Sequence, residues 1–291
     1  MALGLPSAQR FSEVLRTIEA EEFSTLTPGG RRSYQDSLGP IRTYFVEQLK
    51  DPPVDKIVAK HITGYLSWRR VHPLRGTEPL SNRTLQKDRS ILHRIFAFAE
   101  EMEWREGNPV RRVKSPKVDA RDPVILTEEQ YEALLAACAD HPMLQLYALC
   151  LGELGARCNS EVLWLRWEHV DFEEGFVWIG QERRAGQGRE RHRTKSGKGR
   201  WVPMTARLRD GMKAHFAAYR FGGSPWIFHH DRTRRTRLAG ERIRRLRSAF
   251  LNAAARATLP DGSTLPEGLH QHDLRHRRVT TWLAKGKIPS T

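Results

Sequence analysis

Four residues in the C-terminal half carry side chains suited to phosphate chemistry: Arg157, Lys195, His272 and Arg275. Arg157 lies in "LGARCNSEVLWLRWEHVDF", where one helix is expected to end at Gly155 and a short amphipathic helix to start near Ser160. An arginine in such a turn can offer its planar fork to two non-bridging oxygens, a geometry that lysine cannot reproduce. The same position also suits a solvated or salt-bridged arginine. Lys195, in "HRTKSGKGRWVPM", falls at the expected tip of a strand pair. A partly desolvated lysine there has a lowered pKa and can protonate a leaving oxygen, although a solvated turn lysine reads identically. In "HQHDLRH" His272 and Arg275 are three apart, which puts them on one helix face where both can reach a single phosphate. His276, four residues from His272, shares that face, but an isolated HxxR spacing also arises by chance.

The elements that must position these residues follow from periodicity. From about residue 30 to 107 the pattern is helical. Tyr34, Leu38, Ile41 and Phe45 share one face, Ile62, Tyr65 and Leu66 mark a second helix, and Ser81 can cap a third. That third helix carries the stripe Leu85, Leu92, Ile95, Phe96, Ala99 and Met102 and is stopped by Gly107, Asn108 and Pro109. A basic, proline-containing stretch, residues 111–126, follows. Thr127 with Gln130 forms a capping-box start for a helix with Tyr131, Leu134 and Leu135, and the mostly apolar helix "MLQLYALCLGEL" runs to Gly155. The period then changes: "FVWIG", a polar stretch from Gln181 to Arg193, and "RWVPM" read as strands of a small sheet. Helices resume near Thr205, again through "GERIRRLRSAFLNAAARA", and in the terminal segment. The fold class expected is mainly α with a small antiparallel β-sheet in the second domain. The organisation is an N-terminal extension (1–29), a helical domain (30–117), a linker (118–126) and a second domain (127–291).

The 291 residues hold 49 Lys plus Arg against 34 Asp plus Glu, a net charge of +15. Both halves are basic. Such an excess favours a polyanion through counterion release, with nucleic acid the leading candidate, although ribosomal and membrane-surface proteins share this balance. Three cysteines without a CxxC pair argue against a disulfide framework or a cysteine-zinc site. The N-terminus lacks the apolar core of a signal peptide, and no stretch reaches membrane-spanning length, so a soluble cytoplasmic protein is expected.

Taken together, the arginine turn, "TKSGKGRWVP" and "HDLRH", in that order, closely resemble the tyrosine recombinase (phage integrase) family. "LSNRTLQKDRSILHRIFAFAEEMEWREGNPVRRVKSPK" is similar to that family's helical core-binding domain and its connection. The resemblance covers residues 30–285. It implies that Arg157 and Arg275 clamp the scissile phosphate of double-stranded DNA, that Lys195 acts as general acid toward the leaving 5′ oxygen, and that His272 assists proton transfer, supported by His276. Glu161 resembles the acidic residue of the first motif, but lies four residues after Arg157 where three is commoner. The resemblance implies no cofactor and no metal, and assembly as a tetramer on paired DNA sites. DNA-backbone contacts are expected from Arg83, Lys87 and Arg94 on the long helix, from Arg111, Arg112, Lys114 and Lys117, and from Arg234 and Arg235 in the run 231–247, whose eight arginines also suit a solvated helix face.

The family's nucleophilic tyrosine lies well downstream of the second arginine. The six tyrosines here, Tyr34, Tyr44, Tyr65, Tyr131, Tyr147 and Tyr219, all precede it. The expectation is therefore a recombinase polypeptide whose catalytic domain is incomplete at its C-terminus, monomeric in solution, which binds DNA without cleaving it. The alternative is a non-catalytic protein that occupies recombination sites and competes with an intact integrase. A metal-dependent hydrolase using His270, His272 and His276 is a third reading.

Overall fold

The computed structural model describes residues 9–26, 28–74, 76–119, 121–180, 198–234, 236–284 and 286. The chain divides into two compact units, Met1–Arg121 and Asp122–Thr291.

The first unit is helical: α1 (Phe11–Glu21), α2 (Pro28–Arg42, continued by a π-helical turn over Thr43–Gln48), α3 (Ala59–Val71) and α4 (Asn82–Glu101). Residues 1–29 were expected to be an extension, but Phe11, Val14, Leu15 and Ile18 of α1 are buried in the core against Phe45 and Phe96. The apolar spacing of "FSEVLRTIEA" is that of an amphipathic helix, which must bury its stripe. Ser81 caps α4 as expected, accepting from the Thr84 N–H at 3.3 Å. Within this core the Arg69 guanidinium and the Tyr65 hydroxyl both donate to the buried Asp88 carboxylate, at 3.1 and 3.0 Å.

The second unit is mainly helical with one small sheet. Its helices are α5 (Glu128–Ala137), α6 (Pro142–Leu154), α7 (Ala206–Tyr219), α8 (Arg247–Arg256) and α9 (Gln271–Ala284). Thr127 and Gln130 form the expected reciprocal cap of α5, at 3.2 and 3.0 Å. Because α6 is apolar all round it is buried along its length, packed by α5, α7, α8 and α9. The sheet is antiparallel in the order β1 (Val170–Asp171), β2 (Phe176–Ile179), β3 (Arg200–Pro203). Val177 pairs with Val202 on the buried face, while Trp178 and Trp201 meet on the other, their ring centroids 5.3 Å apart.

Two local expectations differ from the structure. The helix expected near Ser160 is a single 3-10 turn, Val162–Trp164, because Glu161 is drawn back onto the Arg157 turn. The helix expected through residues 240–257 forms only over Arg247–Arg256. Upstream of it Arg242 is spent on tertiary stacking, its guanidinium 3.7 Å from the Trp164 ring centroid, and His229 and Arg242 make a β-bridge.

Candidate phosphate-binding site

Helix α6 ends on Gly155, whose left-handed backbone (φ +57°) turns the chain so that Arg157 leaves the helix axis. The Arg157 carbonyl then accepts from the N–H groups of Glu161 and Val162, at 3.1 and 3.0 Å, closing a tight loop. This loop folds the Glu161 side chain inward, fully buried, so that its carboxylate accepts from the Arg157 N–H at 2.9 Å and from Arg157 Nη1 at 2.6 Å. The four-residue spacing from Arg157 is therefore compatible with a direct pair.

Two further guanidinium groups converge on the same carboxylate. Arg200, the first residue of β3, donates from Nη2 to Glu161 Oε2 at 2.9 Å, and Arg275 Nη1 lies 3.8 Å from that oxygen. Burial alone would raise the Glu161 pKa, but the hydrogen bonds from Arg200 and Arg157 reverse this and hold it below the usual carboxylate range. Glu161 is thus an anion that aligns three cations and leaves the cluster with a net positive charge. Arg275 Nη1 is buried and has no hydrogen-bond partner among the described residues, which is a cost unless an anion fills the gap.

Helix α9 delivers His272 and Arg275. Asp273 caps its start by accepting from the His270 N–H at 2.7 Å, and Gln271 Nε2 donates to the buried Tyr147 hydroxyl at 3.0 Å. His272 sits exposed beside Arg275, with the His276 ring edge-on at 5.1 Å. Partial burial, then the neighbouring His276, Arg275 and Arg157, push the His272 pKa down, with Asp273 opposing. The imidazole is therefore biased toward the neutral form that can accept a proton. Arg157, Glu161, His272 and Arg275, chosen from sequence, thus come together, with His276 next to them. Lys195 lies outside the described residues. Among those residues, no group of three or more His, Cys, Asp or Glu is arranged to hold a metal ion.

Arg200 was missed by sequence reasoning. The signal was present: the period of two in "RWVP" puts Arg200 on the face of buried Val202 rather than of exposed Trp201.

The residues proposed for backbone contact divide into two groups. Arg94 is tied to Glu22 and, at 2.8 Å, to Glu101, and those hydrogen bonds raise its pKa. Arg111 pairs with Glu100 at 3.0 Å. By contrast, Arg83, Lys87, Arg112, Lys114, Lys117 and Arg234 have no side-chain ion pair among the described residues, and Arg70, Arg112 and Lys114 line a cleft of about 350 Å³ in the first unit. Arg235 lies outside the described residues.

The second unit thus gathers three arginines around one buried carboxylate, with His272 beside Arg275, an arrangement suited to holding an anion. Residues 125–291 match the Phage integrase family, and the chain belongs to that family. A curated relative is the shufflon-specific DNA recombinase of Escherichia coli, 27% identical over 240 residues, which are 81% of this chain and 53% of that protein. The chain thus spans about half the length of that relative. Among solved structures, the Tn1549 transposon integrase in complex with transposon right end DNA superposes with a TM-score of 0.73 at 16% identity, covering 96% of this chain and 88% of that one. A lambda integrase dimer bound to a COC′ core site superposes with a TM-score of 0.71 at 17% identity, covering 96% and 92%. These likenesses establish the fold.

Proposed function

We propose that this chain is a site-specific DNA recombinase polypeptide whose second unit holds the scissile phosphate of double-stranded DNA between Arg157 and Arg275. The observation that carries this reading is the convergence of both guanidinium groups on Glu161, with Arg275 Nη1 buried and unbonded. Attack on a phosphodiester concentrates negative charge on its non-bridging oxygens, and preorganised guanidinium groups stabilise that charge more than they stabilise the ground state. As the attacking oxygen bonds to phosphorus, the P–O5′ bond breaks. Lys195, by its place in the family motif, would give the 5′ oxygen its proton. Neutral His272 is suited to take the proton of the attacking hydroxyl.

We infer that none of the six tyrosines supplies that hydroxyl. Tyr65, Tyr131 and Tyr147 are fully buried, Tyr34 and Tyr44 pack on the first unit's core, and Tyr219 stacks on His215. The first unit supplies backbone contacts through its uncommitted cations, Arg83, Lys87, Arg112 and Lys114.

The test is to incubate the 291-residue chain with duplex DNA, measure binding, then denature and look for protein covalently joined to DNA. The expected result is salt-dependent binding without an adduct, weakened in Arg275→Gln. A covalent adduct from this chain alone would refute the exclusion of these tyrosines. Absence of binding at low salt would refute the DNA reading as a whole.

A further inference from the structure

Arg200 belongs to neither of the two arginine positions that the motifs pick out, yet it sits in the same cluster. It opens β3, pairing with Ile179 of β2, and the strand's alternation turns its side chain toward the face that carries buried Val177, Ile179 and Val202. An arginine on the core face of a strand needs a polar destination. Here that destination is Glu161 Oε2, which Arg200 Nη2 reaches at 2.9 Å and beside which Arg275 Nη1 stands at 3.8 Å.

Three guanidinium groups share one carboxylate, and only one of the three positive charges is offset. The Arg200 side chain is 21% exposed. Apart from Nη2, its donors make no hydrogen bond among the described residues and, unlike Arg275 Nη1, are not sealed from solvent. A planar fork with one prong anchored is well suited to present the other to an oxyanion beside it.

We propose that Arg200 is a third phosphate ligand of this site, donating to a non-bridging oxygen of the same backbone phosphate that Arg157 and Arg275 hold, with Glu161 fixing its orientation. The inference rests on the phosphate reading given under the proposed function. Three cations around one phosphate distribute donors over both non-bridging oxygens, so that each keeps a charge-assisted bond as the phosphorus centre changes geometry.

DNA affinity at fixed salt tests it. Because the three arginines hold one phosphate, losing one leaves that phosphate neutralised and the salt slope nearly unchanged, whereas each lost charge-assisted bond lowers affinity about tenfold or more. The 291-residue chain, Arg200→Gln and Arg275→Gln are titrated against one mixed-sequence duplex at low salt, with thermal unfolding run in parallel. The expected result is an affinity lower by about tenfold for each variant. A lower affinity for Arg275→Gln with an unchanged affinity for Arg200→Gln would overturn the role of Arg200 alone and leave it as a partner of Glu161. Unchanged affinities for both would overturn the phosphate reading, and Arg200 with it. Should Arg200→Gln not fold, Arg200→Lys decides. A point charge loses the fork geometry, so affinity should fall several-fold. Affinity equal to the unaltered chain would overturn the proposal.

Discussion

Glu161 is the residue on which the site turns. It is fully buried, and it accepts from both the backbone and the side chain of Arg157, from Arg200, and faces Arg275. Removing its charge leaves three cations facing one another in a partly desolvated pocket. Glu161→Gln is therefore expected to destabilise the second unit by about 3 kcal/mol, near the lower end for breaking a buried pair because the arginines retain some solvent. Urea unfolding would show this as a lower midpoint with an unchanged m-value. Inorganic phosphate should recover part of the loss by taking up the unpaired donors, and a variant indifferent to phosphate would contradict an anion site. The neighbouring arginines of α9 do different work. Arg277 pairs with Glu128 and stacks on Tyr131 at 4.2 Å, while Arg278 lies 3.6 Å from Glu153 and over Trp282 at 5.0 Å. "RHRR" in sequence offers four adjacent basic side chains, and only the packing of the helix separates Arg275, which faces Glu161, from Arg277 and Arg278, which hold the unit together.

At the scale of elements, the site depends on how α6 ends and α9 begins. Gly155 takes a φ of +57°, and a Cβ built there would meet the Trp282 ring of α9 at 2.8 Å. Gly155→Ala would thus incur the left-handed backbone cost of about 1–2 kcal/mol and would also push α9 away from α6. A fall in melting temperature together with weaker DNA binding is expected, since Arg157 and Arg275 sit on the two segments being separated. Normal DNA affinity in a destabilised Gly155→Ala would show that the site tolerates this displacement. The capping signals were legible in the chain because they are local: Ser81 and Thr127 with Gln130 cap the helices expected of them, and Thr205 caps the helix expected to resume near it. The failures at residues 160 and 240 have the opposite origin. There the Glu161 carboxylate is taken by Arg157 in a tight loop and by Arg200, and the Arg242 guanidinium by the Trp164 ring, contacts that outweigh a helical tendency worth only tenths of a kcal/mol per residue.

At the scale of the whole molecule, stability should depend on pH through a buried histidine that is not part of the Glu161 cluster. His215 of α7 is 4% exposed, and its burial, with a smaller contribution from His229, lowers its pKa to about 4. A histidine depressed in the folded state is protonated more readily when unfolded. Its contribution is therefore fully present above the unfolded value of about 6.5 and is lost as pH falls from there toward 4. The loss amounts to about 3 kcal/mol across that window. Urea unfolding of the full chain at pH 7 and near pH 4.5 should show the drop, and His215→Phe, which keeps an aromatic ring beside Trp167 and Tyr219, should flatten it. An equal drop in the variant would assign the acid sensitivity to other groups. The net charge of +15 acts over the same scale, and DNA affinity should decline steeply with salt.

The sequence by itself determined the helical character of both units, the small antiparallel sheet, the caps, and the membership of Arg157, Glu161, His272 and Arg275 in one site. Periodicity and capping act through neighbours a few residues apart, and the motifs carry the order of the site along the chain. Only the tertiary structure decided which cations were available. It paired Arg94 and Arg111 with carboxylates, laid Arg242 over the Trp164 ring, drew α1 into the first core, and brought Arg200 to Glu161 from 39 residues away. The physical reason is that a charged side chain is committed by whichever partner lies within a few ångströms in the folded chain, and a linear sequence does not encode that distance.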